Sequence, residues 1–273
     1  MSARRGFIER TVEGLYEAME HALHAEQSAG ASGLLQGLDA RVKVAGILAL
    51  IVAAVLSHRL WVIVSIFGGA VALALLSRVS LATLASRVWI GALAFTGPIA
   101  VPAIFLTPGL AIYRIPAIGW PVTMQGLTTA ALLLARVETA ATLTLLLVFT
   151  TPWNHVLKAL RIFRVPVVFV VILGMTCRYI LLMLETAHEM FESRRSPTVG
   201  ALTGVERRRM TVSTAGVLLS RTSQLSGDVY LAMQSRGFRG EVYVLDDFRM
   251  SGLDWSAVAA FVALAGWAVW VGR

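Results

Sequence analysis

A single cysteine, Cys177, stands in 273 residues, which excludes an intramolecular disulfide and any cysteine-built metal cage. Charge is scarce as well: Asp, Glu, Lys and Arg make up 15% of the chain against 57% hydrophobic residues, too little for an ordinary soluble domain. Acidic residues are the scarcer sign, 16 against 24 Lys and Arg, leaving a net charge of +8. In so apolar a chain that excess reads as the positive-inside bias of cytoplasmic loops, not as a nucleic-acid footprint. No GxxxxGK[ST] loop is present, so the chain has no recognisable way to bind ATP itself. No Ser/His/Asp or Cys/His constellation stands out, and nothing argues for catalysis. Behind Arg4, Arg5 and Arg10 comes polar helix and not an apolar run, which is no signal peptide.

What is present is a series of apolar runs. Residues 7 to 26 come first as an amphipathic helix, with Ile8, Val12, Leu15, Met19 and Leu23 at helical spacing. Residues 28 to 33 form a small-residue linker. Asp39 is placed as an N-cap for the first apolar run, Val44 to Ser57, and a second follows from Leu60 to Leu76. The two make a tight helical hairpin, and the first is short of the roughly 20 residues a bilayer requires. A third span runs from Arg87 to Leu106 with Pro98 and Pro102 inside it, which predicts a kink. Thr107 to Gly126 is a turn-rich connection. A fourth span, Leu127 to Thr150, carries Arg136 and Glu138. Charges at membrane depth are costly, so these are either inward-facing structural contacts or part of a transport pathway; two positions apart, they do not face each other. The last span is Asp254 to Val271.

Between the fourth and last spans the texture changes. Trp153, Val156, Leu157, Leu160 and Phe163 share one helical face opposite Asn154, His155, Lys158 and Arg161, the pattern of a helix lying in the interface. Val165-Pro166 breaks it, and an apolar run continues to Leu184. From Glu185 to Asp247 the chain is polar and carries two motifs of one form, Ser193-Arg194-Arg195 and Ser235-Arg236-Gly237. Each is a small residue followed by arginine at the end of a helix-like segment, with a Pro/Gly-containing, arginine-rich turn between. Glu185, His188, Glu189 and Glu192 imitate a metal site but read as a solvated helix face leading to the first motif. His21 and His24 read likewise as neighbours on a helix surface. Arg207-Arg208-Arg209 points to anionic headgroups or a protein partner.

Charge sets the topology. With the N-terminus inside, five spans and the run Val165 to Leu184 embedded without crossing, 20 of the 24 basic residues fall inside and three outside, Arg59, Arg114 and Arg273. The expected fold class is therefore all-α, a polytopic membrane protein with about five transmembrane helices and a cytoplasmic pair of helices that end in the two arginine motifs. The expected division is 1–37 for the N-terminal amphipathic helix and linker, 38–150 for transmembrane helices 1–4, 151–250 for the cytoplasmic and interfacial region and 251–273 for the last span.

Four stretches then resemble one family: LDARVK at 38–43, the run from Thr123 to Pro166, RYILLMLETAHEMFESRRS at 178–196 and YLAMQSRGFRG at 230–240. They are similar to the transmembrane T component of energy-coupling-factor (ECF) transporters, the CbiQ/EcfT family, most closely its cobalt-type branch. The family usually has proline where Ala40 stands, and alanine more often than Ser193 or Ser235. The resemblance implies a coupling subunit joining two ECF ATPases to a substrate-binding membrane subunit, the S component. Ser193, Arg194, Arg195, Ser235, Arg236 and Gly237 would contact the ATPases. ATP and Mg would sit on those partners, with no cofactor, metal site or nucleic acid on this chain. It also implies the cytoplasmic (inner) membrane, with cobalt as cargo and nickel or a vitamin as alternatives. A self-sufficient secondary transporter or channel is the rival class, and a non-transport scaffold the other. The sequence shows no pair of broken helices in matched halves to support the former.

Overall fold

The computed structural model describes residues 14, 35–77, 79–108, 111–114, 121–195, 204–238 and 251–273. The amphipathic segment 7–26, the linker 28–33 and the His21/His24 pair lie outside the described residues, Gly14 apart. In chain order the elements are α1 (Ala40–Leu56), α2 (Leu60–Leu76), α3 (Leu81–Leu84), a π-helical segment (Ala85–Trp89) and α4 (Ile90–Leu106). Strands β1 (Ala111–Arg114) and β2 (Pro121–Thr123) follow, then α5 (Met124–Thr150), α6 (Trp153–Ile162), α7 (Val167–Arg195), α8 (Gly204–Ser235) and α9 (Gly252–Gly272). The chain divides into two compact units, Glu26–Ala159 with Phe248–Arg273, and Met1–Ala25 with Leu160–Asp247.

The first unit is a helical bundle whose core is made of small and branched apolar residues. Val42, Ile47, Leu50, Ala53 and Ala54 of α1 meet Val62, Ile66 and Ala70 of α2, Leu143 of α5, and Phe261 and Ala268 of α9. Close packing through small residues is what holds helices together where lipid is as apolar as the side chains. Gly46 shows how tight it is: a Cβ there would lie 2.5 Å from the ring of Phe261. Overpacking a core of this kind costs about 1–3 kcal/mol. Gly46→Val is expected to lower the melting temperature of the purified protein in detergent; unchanged melting would mean that α1 and α9 are not packed at this point.

Polar groups close the bundle at its two ends. At one end Asp39 caps α1 as expected, its Oδ1 accepting from the Arg41 amide at 2.9 Å. Ala40 is the first residue of α1, so the missing proline has not displaced the helix start. The Asp39 amide donates to Asp254 Oδ1 at 2.8 Å, 215 residues away, and Asp254 Oδ2 accepts from the Ser251 amide at 2.7 Å, the return half of a capping box. One buried carboxylate thus joins the starts of α1 and α9. At this end Lys43, also buried, donates from Nζ to the Thr150 carbonyl at the end of α5, 3.1 Å. At the other end the His58 amide donates to the Gly272 carbonyl at 2.8 Å. The starts of α1 and α9 thus meet at one end, and the α1–α2 turn meets the end of α9 at the other.

Two local features depart from the sequence expectation. The helix leading into α4 starts at Leu81 and passes through the π segment before Ile90. The turn-rich connection contains a two-stranded antiparallel ribbon, Ala111 opposite Thr123 and Arg114 opposite Pro121. Thr123 ends the ribbon and begins α5: its Oγ1 accepts from the Gly126 amide at 3.1 Å and donates to the Thr107 carbonyl at 2.9 Å. That cap sets the start of α5 at Met124, three residues before Leu127. By length and composition α5, Val167–Met190 and α9 suffice to cross a membrane, and α2 and α4 are shorter apolar helices of 17 residues. The all-α, multi-pass fold class holds, the short ribbon apart.

Candidate functional site

Both arginine motifs fall at the ends of the two long helices of the second unit. Ser193, Arg194 and Arg195 are the last three residues of α7, a helix of 29 residues. Ser235 is the last residue of α8, a helix of 32. The two serines do the same thing. Ser193 Oγ donates to the Met190 carbonyl at 3.2 Å and Ser235 Oγ to the Ala232 carbonyl at 2.9 Å, each three residues back. Each hydroxyl is thus turned back onto a carbonyl of its own helix, that of Ala232 also accepting from the Arg236 amide at 3.3 Å, which leaves a slim helix end.

The second tip has a fully formed stop. The Phe238 amide donates to the Met233 carbonyl at 3.0 Å and the Gly237 amide to the Gln234 carbonyl at 2.9 Å, with Gly237 at φ 73°. These are the two bonds of a Schellman motif, and glycine is the residue that enters its left-handed position without a Cβ penalty. Arg236 is thereby left exposed at the cap. The side chains of Arg194 and Arg195 lie outside the described residues, as do Ser196 and Pro197. Arg164, at φ 60°, closes α6 by the same pair of bonds, Val165 to Leu160 and Arg164 to Arg161.

Each motif closes its own helix, and no hydrogen bond between the two is found among the described residues. α7 and α8 touch where Thr222 Oγ1 donates to Met183 Sδ at 3.2 Å. At 1.5 Å per residue that point is about 15 Å along α7 from Ser193 and about 20 Å along α8 from Ser235. The arginine-rich stretch between the motifs, expected as a turn, is helical from Gly204, so Arg207, Arg208 and Arg209 belong to the first turns of α8. Arginine has high helix propensity, and nothing in the stretch from Gly204 breaks a helix. Among the described residues no three His, Cys, Asp or Glu side chains group to hold a metal ion; the Glu192 side chain lies outside them.

Arg136 and Glu138 sit in α5 of the first unit. Arg136 Nη2 donates to the carbonyl of Ser57, the C-cap of α1, at 2.6 Å. That carbonyl is one of the helix-end acceptors that lack an intrahelical partner, and Arg136 supplies a charged donor to it. Both carboxylate oxygens of Glu138 are shielded from solvent, with no hydrogen-bond partner among the described residues. The two side chains are not paired with each other, as their spacing predicts. Arg136→Leu is expected to lower yield and melting temperature by removing the donor from a buried carbonyl, a loss of about 1–3 kcal/mol. Arg136→Lys should be milder. Normal yield and melting of the leucine variant would remove the tie.

Residues 31–244 match the family described as CbiQ, cobalt transport protein. The chain belongs to the CbiQ family. It is accordingly a multi-pass membrane component of cobalt transport. Among curated proteins the chain is 33% identical over 240 residues to an uncharacterized protein of Methanocaldococcus jannaschii, covering 86% of this chain and 82% of that one. It is also 33% identical over 150 residues to the cobalt transport protein CbiQ of Rhodobacter capsulatus, covering 53% of this chain and 60% of that one. The CbiQ match takes in both arginine tips, the Asp39 cap and Arg136.

Proposed function

We propose that this CbiQ-family chain is the transmembrane coupling subunit, the T component, of an energy-coupling-factor importer. It would carry motion from two cytoplasmic ATPases to a substrate-binding S component, with cobalt as cargo. The observation that carries the reading is the shared construction of the two tips. Two long helices of one compact unit each end in a serine bonded to the carbonyl three residues back, with an arginine next in the chain. Two like ends on two different helices suit two copies of one partner better than a single ligand. Arginine suits such a contact because its charge is permanent and its planar fork binds a carboxylate through two hydrogen bonds.

On this reading the chain is a non-catalytic permease subunit, and ATP and Mg reside on the partner ATPases. The N-terminus and both tips face the cytoplasm, the protein lies in the cytoplasmic membrane with five crossing helices, and the run Val165 to Leu184 is embedded without crossing. Arg136 and Glu138 are structural: the bond from Arg136 to the Ser57 carbonyl supports that role over one in a transport pathway. Tagged chain expressed with its genomic neighbours should co-purify two ATPase copies and a small membrane partner, and should move no cobalt alone. Uptake of cobalt by the isolated chain in vesicles would overturn the proposal in favour of a self-sufficient transporter. Competition by nickel or a vitamin against cobalt in the assembled complex would change the cargo and leave the coupling role standing.

A further inference from the structure

α8 is a polar helix that nonetheless exposes an apolar stripe. Val205, Val212 and Leu219 are 79%, 66% and 74% exposed. Spaced by sevens, they fall within about 40° of one another on a helix of 3.6 residues per turn. Gly216, one turn beyond Val212, continues the stripe into open space, since a Cβ there would meet nothing within 4 Å. Thr214, the buried residue among the described side chains of α8, lies on the opposite face. The side of α8 that packs on its own chain is therefore turned away from the stripe.

Arg208 and Arg209 are both exposed. They lie three and four positions after Val205 and the same distances before Val212, one on each shoulder of the stripe. We infer that the first half of α8 is a docking surface for an anionic lipid bilayer, with Val205, Val212 and Leu219 at the acyl-chain boundary and Arg208 and Arg209 on lipid phosphates. Charge complementarity selects this occupant. A narrow aliphatic stripe flanked by cations is the construction of helices that lie in an anionic interface. Protein hot spots draw on Trp and Tyr, whereas this stripe is Val and Leu, which such contacts under-use. Only eight residues separate α8 from α7, whose stretch Val167–Met190 is long and apolar enough to cross a membrane, so the modest attraction of two arginines and three aliphatic side chains acts at high effective concentration. The inference rests on the multi-pass character of the chain and not on the partner ATPases.

The test uses the full chain with Cys177 replaced by alanine, reconstituted in vesicles containing about 30% phosphatidylglycerol. An environment-sensitive fluorophore is placed on a cysteine at position 212, 219 or 224, the last lying about 120° round the helix from position 212. Nitroxide-bearing lipid is expected to quench positions 212 and 219 at least about threefold more than position 224. Vesicles of phosphatidylcholine alone, or Arg208→Gln with Arg209→Gln, should lower the ratio of bilayer-bound to free α8 by roughly 30-fold. The vesicle arm requires no charge variant and so is independent of folding defects. Equal quenching at all three positions, or quenching indifferent to anionic lipid, overturns the inference. So does shielding of position 212 that appears only with a co-purified membrane protein and without nitroxide quenching, which would assign the stripe to that protein.

Discussion

Cobalt uptake is expected to fall to background when either Arg194 or Arg236 is replaced by glutamate. Each tip is proposed to enter a groove shaped for a cation, and the substitution brings a carboxylate into the same place. Truncating one side of a buried, hydrogen-bonded charge contact costs about 2–5 kcal/mol, which weakens docking roughly 30-fold or more. Two ATPases that close together must be engaged on both sides, so losing either contact should stop transmission even where the other still holds the complex. Single alanine variants are accordingly expected to assemble and fail to transport. The double alanine variant should lose the ATPases on purification. Arg195→Ala, one step outside the central position, and Arg239→Ala, beyond the second motif, should be milder. Uptake measured with radioactive cobalt, alongside ATPase recovery, separates these outcomes. Transport surviving the double alanine change would remove the coupling role of the tips.

The largest stability loss is expected from Asp254→Ala. Its carboxylate accepts from the Asp39 amide, the Ser251 amide and the Ser251 hydroxyl at 2.7–2.9 Å. Removing it leaves amides at the starts of two helices without an acceptor inside a closed bundle end. Hydrogen bonds to a charged group contribute about 1.5–3 kcal/mol each, so the combined loss should exceed about 3 kcal/mol. Lys43, whose ammonium is close enough to Asp254 to be influenced by its charge, loses that counter-charge as well. Asp254→Asn keeps one acceptor oxygen and should retain part of the stability. Melting temperature and recovered yield in detergent read the difference. An alanine variant that melts with the parent chain would show that α1 and α9 are not tied through this residue.

Much of this fold is legible from apolar runs, because a bilayer demands long uninterrupted stretches that few other environments require. The ends of α2, α4 and α5 fall where charge or proline interrupts those runs. Asp39 is readable as a cap, since capping is local. Asp254 is not readable as its partner: nothing in a carboxylate at the head of the last span names an amide 215 residues earlier. The same limit hid the bond from Arg136 to Ser57, where the sequence shows only a costly charge. The long course of α8 was missed for a different reason. Its apolar stripe is sparse, one residue in seven over Val205, Val212 and Leu219, too thin to announce a helix, and its arginines read as a loop. The arginine tips are the reverse case, conspicuous as residue types while the bonds that shape them appear only in the backbone.

The bond between Asp39 and Asp254 also fixes an order of events during synthesis. Ribosomes extend chains at about 5–20 residues per second, so the start of α1 waits about 10–40 s for its partner to be made. Through that interval the groove at Gly46 has no Phe261 to fill it, and Asp39 presents an unanswered amide next to a membrane. The bundle cannot close progressively from its N-terminus; it closes when the last span arrives. A chain released before Gly252 therefore carries a permanent flaw at its first helix. Nascent copies can be sorted by that flaw, complete chains locking and prematurely ended ones staying open to proteolysis.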